Sequence, residues 1–83
     1  MESLVASHER VATRIADALV EFGQERDELR REATLEELDI DSLDLFELSQ
    51  ILNQEFGIEV DPQEFEDVTT LGEAQDVMLS HVK

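Results

Sequence analysis

Residues 38–48 read LDIDSLDLFEL, and they set a single serine, Ser42, among four acids, Asp39, Asp41, Asp44 and Glu47. Neighbouring negative charge disfavours an alkoxide and no base stands nearby, so this serine is poorly placed to be a nucleophile. The apolar residues of the same stretch decide the fold. Leu45, Leu48, Leu52 and Phe56 recur at three- and four-residue steps, with Phe46 and Ile51 widening the stripe. That is the period of an amphipathic helix over residues 42–55, and Gly57 stops it.

The flanks carry the same signal. Leu4, His8, Val11, Ala12, Ile15, Ala18, Leu19 and Phe22 predict a helix over residues 3–22, closed by Gly23. Residues 25–41, ERDELRREATLEELDID, form a long connection. A loop of that length in so short a chain must dock on the core or serve a function, and Leu29, Leu35 and Leu38 are its expected anchors. Residues 58–60, IEV, alternate like a strand without a partner and read as an extended linker. Asp61 followed by Pro62 predicts a short helix, DPQEFEDV, with Asp61 as N-cap. Thr70 with Glu73 makes a capping box for a last helix over residues 71–81, whose inward stripe is Leu71, Ala74, Val77, Met78 and Val82. The expected architecture is all-α: a small four-helix bundle of three longer helices and one short one, with a long first loop, forming one domain over residues 1–83.

Composition limits what such a bundle does. The chain has 83 residues, and a domain of this size hides only about 60% of its unfolded surface, so the core is small. Without cysteine it has neither disulfides nor a thiolate metal site, which suits a reducing cytoplasm. The N-terminal segment interrupts every apolar run with charge, so neither a signal peptide nor a spanning helix is expected, and the mature chain is expected to begin at or near Met1. Twenty-two acids against six Lys and Arg give a formal charge of −16. That argues against nucleic acid or anionic membrane as a partner and favours basic ones. Five of the six cations lie in the first 31 residues, whereas residues 32–82 hold fifteen acids and no Lys or Arg. This acidic run is either a solvated face or a surface that steers cationic partners.

Two residues compete to cap the helix at 42. With Asp41 as N-cap, its carboxylate takes first-turn N–H groups and Asp44 falls at N3, where negative charge suits the helix dipole. With Ser42 as N-cap, a capping box would want Glu or Gln at position 45, where Leu45 stands. The local chemistry favours Asp41, leaving the Ser42 hydroxyl exposed at the helix start. On spacing alone such a serine either serves the helix end or carries a phosphate ester, which first-turn N–H groups stabilise.

The segment LDIDSLDLFELSQILNQEFGIEV, residues 38–60, resembles the serine loop and second helix of acyl carrier proteins, in which an Asp-Ser-Leu tripeptide opens the helix. The resemblance extends over most of the chain, through the short third helix to the last helix opened by TTLGEA. It implies that Ser42 bears 4′-phosphopantetheine, donated by coenzyme A through a phosphopantetheinyl transferase, and that Asp41 helps the transferase place its metal and coenzyme A. Leu43, Asp44 and Glu47 would meet partner enzymes: a loading ligase, a ketosynthase or other acyltransferases with basic docking patches. Leu38, Phe46, Leu48, Leu52 and Val60 are candidates to line a pocket for an acyl chain, or else ordinary core. The resemblance points to a freestanding, monomeric, cytoplasmic carrier rather than an enzyme, with aminoacyl, peptidyl and D-alanyl carriers as alternatives. Many fatty-acid carriers have Gly-Ala or Gly-Leu before the tripeptide, where this chain has Asp39-Ile40, and acids where it has Asn53 and Gln54. Those departures suit polyketide or mixed peptide biosynthesis.

Other chemistries fit less well. As a calcium loop, residues 39–50 put Asp44 where glycine is needed and Gln50 where a bidentate Glu belongs. His8 and His81 have no metal-ligand spacing, so no metal site is expected. No nucleophile–base set is present. An unmodified acidic interaction module is the rival from another class, and it separates from a carrier at Ser42. Because crowded carboxylates repel one another, added magnesium, calcium or simple salt should raise the melting temperature by at least a few degrees. A melting curve indifferent to salt would mean that the repulsion is too dispersed to matter.

Overall fold

A computed structural model describes the backbone of residues 4–82 and the side chains of residues 8–82. Three α-helices carry the structure: α1, Leu4–Glu21; α2, Ser42–Phe56; and α3, Leu71–Leu79. Two 3₁₀ segments, Arg26–Glu28 and Pro62–Phe65, sit in the connections. The expected start of the first helix at Ser3 and the inward placement of Leu4 lie outside the described backbone and side chains. No described helix is long and apolar enough to cross a membrane.

The helices form where the apolar stripes fall and end where the backbone reverses. At the end of α1, Gly23 takes φ +112; its N–H reaches the Val20 carbonyl, and the Gln24 N–H reaches that of Leu19, each at 3.0 Å. Gly57, at φ +69, donates to the Asn53 carbonyl at 3.0 Å and ends α2. Both are backbone conformations that glycine adopts at little cost. Inside, Val11, Ile15 and Leu19 of α1 meet Leu48 and Leu52 of α2 and Leu71 and Met78 of α3, all of them buried. Burying side chains of this kind stabilises a domain by roughly 1.5–3 kcal/mol each before chain entropy is counted.

The long loop docks as its length demands. Leu35 and Leu38 are buried, Leu29 is partly buried at the end of the first 3₁₀ turn, and Ala33 and Ile40 join the core. An isolated bridge between Thr34 and Thr70 fastens it to the start of α3: the Leu35 N–H donates to the Thr69 carbonyl and the Leu71 N–H to that of Ala33, both at 2.9 Å. The Gly72 N–H reaches the Arg31 carbonyl at 3.0 Å, and a Cβ on Gly72 would lie 3.0 Å from that oxygen. A glycine is therefore what lets the loop approach so closely. Arg14 joins α1 to α2 through Glu55, with Nε 3.0 Å from Oε2.

Three expectations need correction. The short helix expected over 61–68 is present only as a four-residue 3₁₀ helix, Pro62–Phe65, closed by i→i+3 bonds such as Glu64 N–H to Asp61 O at 2.9 Å. Asp61 caps it and Glu64 accepts the Asp61 N–H at 2.9 Å; the chain then continues in single turns, with the Val68 N–H on the Phe65 carbonyl at 3.1 Å, before Thr70 becomes extended to cap α3. Phe56, expected on the inner stripe, is 39% exposed, because it ends α2 beyond the core and lies beside Arg10, Thr13 and Arg14 of α1. The last helix ends at Leu79 rather than 81. Residues 58–60 are the expected linker, with Ile58 and Val60 buried and Glu59 exposed.

Four carboxyls are held below the usual carboxylate range by this framework. The His81 side chain does this for Glu64, the Thr69 and Thr70 N–H groups for Glu73, the Thr34 N–H for Glu37, and the Arg31 guanidinium for Asp76. A carboxyl lowered on folding contributes stability that is complete above its unfolded value and lost as pH falls through its folded one. Neutralising the other acids meanwhile relieves repulsion. The melting temperature should therefore be highest in mildly acidic buffer and fall below about pH 4. Glu73→Gln, which keeps the capping box but does not titrate, should make that fall shallower.

Candidate functional site

Ser42 is delivered to the surface by a turn that the loop builds from its own residues. Thr34 and Glu37 form a reciprocal box: the Glu37 N–H donates to Thr34 Oγ1 at 3.1 Å, and the Thr34 N–H donates to Glu37 Oε1 at 3.0 Å. The Leu38 N–H reaches the Thr34 carbonyl at 3.2 Å, completing a single helical turn. The turn closes as a helix does, with Asp39 N–H to Glu36 O at 3.1 Å and Ile40 N–H to Leu35 O at 2.9 Å. Asp39 occupies the left-handed position of that closure, at φ +58. Glycine takes this conformation freely and aspartate is among the few other residues that tolerate it. Asp39 thus takes a conformation that suits glycine, at the first of the two positions where many fatty-acid carriers have Gly-Ala or Gly-Leu.

Beyond the turn, Asp41 is extended and caps α2. Its Oδ1 accepts the Asp44 N–H at 3.0 Å, while Asp44 Oδ2 accepts the Asp41 N–H at 3.3 Å. The cap expected from sequence is the one observed. Ser42 is then the first residue of α2, exposed, and its hydroxyl makes no hydrogen bond to a described residue. Leu43 is 61% exposed and Glu47 is exposed one turn on, so they share the outer face of α2. Asp44 is half-buried and engaged in the box, which sets it apart from Glu47.

Beside Ser42 lies an open groove of about 410 Å³. Its apolar wall comes from Leu35 and Ile40 of the loop, Leu45 of α2, and Pro62, Phe65 and Val68 of the connection to α3; Glu36, Asp41, Ser42 and Glu66 stand at its polar edge. None of the five residues nominated from the sequence for an acyl pocket lines this groove. Leu38, Leu48 and Leu52 are in the packed core, while Phe46, 46% exposed, and Val60 border a smaller groove of about 250 Å³ with Ser49, Gln50 and Asn53. Periodicity marked which residues turn inward. It carried no signal for which three segments meet next to Ser42, so Leu35, Ile40, Phe65 and Val68 were legible only as apolar positions.

The family described as "Phosphopantetheine attachment site" matches residues 9–74. An acyl carrier protein of Lactococcus lactis subsp. cremoris is 43% identical over 54 residues, covering 64% of this chain and 74% of that protein. One from Rubrobacter xylanophilus is 41% identical over 61 residues, 72% of this chain and 75% of its own length. One from Lactobacillus johnsonii is 34% identical over 77 residues, 90% of this chain and 96% of the relative. The chain belongs to the acyl carrier protein family, as the α2 opening and the groove beside it suggest. Its prosthetic group is a covalently attached 4′-phosphopantetheine, and its partners are a phosphopantetheinyl transferase and acyl-handling enzymes.

The residues present fit that group. A phosphodiester needs an accessible hydroxyl and benefits from helix N–H donors; Ser42 supplies the first, and Asp41 takes the Asp44 N–H without taking those of Ser42 and Leu43. If capping belongs to Asp41 and the serine is free, the two should separate on substitution. Asp41→Ala should lower stability by about 1 kcal/mol, the usual cost of losing an N-cap, and Ser42→Ala should stay within about 0.5 kcal/mol of wild type in urea titrations.

Proposed function

We propose that Ser42 is the attachment residue, and that the chain is a freestanding carrier of acyl intermediates for polyketide, mixed peptide or fatty-acid biosynthesis. The observation that carries this reading is the hydroxyl of Ser42, exposed and without a described hydrogen-bond partner at the first position of a helix that Asp41 already caps. When attached, 4′-phosphopantetheine supplies the terminal thiol on which an acyl group is held as a thioester, in a chain that has no cysteine of its own. The residues around Ser42 do the rest. The first-turn N–H groups favour the phosphodiester. The wall of Leu35, Ile40, Leu45, Phe65 and Val68 favours an aliphatic cargo over an aminoacyl one, whose free ammonium stays charged in the thioester, and this supports acyl over aminoacyl or D-alanyl transport.

Recognition by partners falls to the outer face of α2. Leu43 offers an apolar contact, Glu47 a free carboxylate, and Asp44 a carboxylate shared with the helix cap. Charge at such a rim acts mainly on encounter rate, so enzymes bearing Arg and Lys patches are the partners this face suits. Neutral Asn53 and Gln54, both exposed, leave the later turns of α2 less acidic and support a partner set different from that of housekeeping fatty-acid carriers. A single chain in the cytoplasm, acting as one domain, is the state this reading assumes.

Intact mass after incubation with coenzyme A, magnesium and a broad-specificity phosphopantetheinyl transferase tests it. One phosphopantetheine should appear on the wild type and none on Ser42→Ala. A folded wild type that gains no mass would return the chain to the class of unmodified acidic interaction modules.

A further inference from the structure

We infer that Gln24 is a positioning residue for Ser42: its side-chain amide holds the Leu38 carbonyl, keeps Asp39 in the left-handed conformation, and so delivers Asp41 and Ser42 to the start of α2. The bond from Gln24 Nε2 to the Leu38 oxygen is 2.6 Å long, half-buried, and links residues fourteen apart in the chain. Its donor end is anchored, because the Gln24 N–H closes α1 onto the Leu19 carbonyl at 3.0 Å. Its acceptor belongs to a buried residue, Leu38, so losing the donor leaves a carbonyl that water reaches poorly.

The next residue is the one under strain. Asp39 at φ +58 is a non-glycine residue in a region that persists only where its surroundings over-determine it. The Thr34–Glu37 box and the backbone bonds of Asp39 and Ile40 arise within residues 34–40 and travel with the turn. Gln24 instead holds the turn against α1. If Asp39 relaxes to negative φ, the chain leaves the turn in another direction and Asp41 loses the approach from which it meets both bonds of the α2 cap. The fraction of molecules that present Ser42 then falls, and a partner needing the presented form sees a raised apparent KM at unchanged kcat. The consequence for modification rests on Ser42 being the attachment residue; the backbone lock does not.

Gln24→Met keeps the length and bulk of the side chain and removes its amide, of which the described bond uses the donor. In unmodified protein, amide exchange at Ile40 should rise about fivefold over wild type, while the Leu48 and Leu52 amides of α2 keep their protection. With coenzyme A and a broad-specificity phosphopantetheinyl transferase, the KM for the carrier should rise by a similar factor, with kcat within about twofold. Adding Asp39→Gly, which frees the left-handed conformation from its cost, should bring Ile40 exchange and KM back toward those of Asp39→Gly alone. Wild-type protection of Ile40 in Gln24→Met, an increase spread evenly over α2, or no rescue by Asp39→Gly would each overturn the inference. If Gln24→Met loses its helical circular dichroism, Gln24→Glu, also without a donor at neutral pH, is read by the same criteria. A wild type that takes no phosphopantetheine would defeat the attachment reading and leave the exchange result to judge Gln24.

Discussion

The hydrogen bond from the Asp44 amide to the Asp41 carboxylate, 3.0 Å long, decides what the neighbouring groups are free to do. A helix start leaves its first N–H groups unpaired, and some side chain or ligand has to meet them. Because Asp41 does so and Asp44 returns the favour to the Asp41 N–H, the serine between them is spared. Its hydroxyl is left in solvent while the residue itself stays held at the first position of a regular helix. An accessible oxygen on an ordered backbone is what a covalent attachment point requires, and neither a flexible loop serine nor a capping serine combines both properties.

The cap works only because the chain arrives at it from the correct direction, and that direction is set by the docked loop. Apolar anchors at Leu35, Leu38 and Ile40, two backbone bonds to the start of α3 and the close approach over Gly72 turn a seventeen-residue connection into part of the core. The same docking brings Leu35 and Ile40 to the groove beside Ser42, opposite Phe65 and Val68. Loop, cap and groove are therefore one construction: loosening the loop would disturb the helix start and the apolar wall together.

Charge is distributed to suit this arrangement. Arg14, Arg26 and Arg31 pair with Glu55, Asp17 and Asp76, so part of the positive charge in the N-terminal third is used in contacts within the molecule. Exposed pairs of this kind contribute little to stability. Residues 32–82 hold no Lys or Arg, and Asp41, Asp44 and Glu47 stand close to Ser42 at the start of α2. Net negative charge of this size disfavours nucleic acid and sets up a self-repulsion that ions in solution relieve.

Much of this was legible in the sequence. The periods of 3.6 residues marked α1, α2 and α3, Gly23 and Gly57 marked two of their ends, and the absence of a capping partner at Leu45 pointed to Asp41 rather than Ser42 as the cap, since caps and amphipathic faces depend on residues within one turn of each other. Other features depended on contacts between distant segments. Whether DPQEFEDV made an α-helix or a run of i→i+3 turns was not marked by its caps, since Asp61 and Pro62 suit the start of either. Phe56 lies on the right stripe but past the end of the core, and no local pattern records where a core ends. The left-handed Asp39, its link to Gln24 and the groove walled by Leu35, Ile40, Phe65 and Val68 arise from packing a loop against three helices. Local spacing is encoded along the chain; which surfaces come to face one another is settled only when the whole chain has closed on its small core.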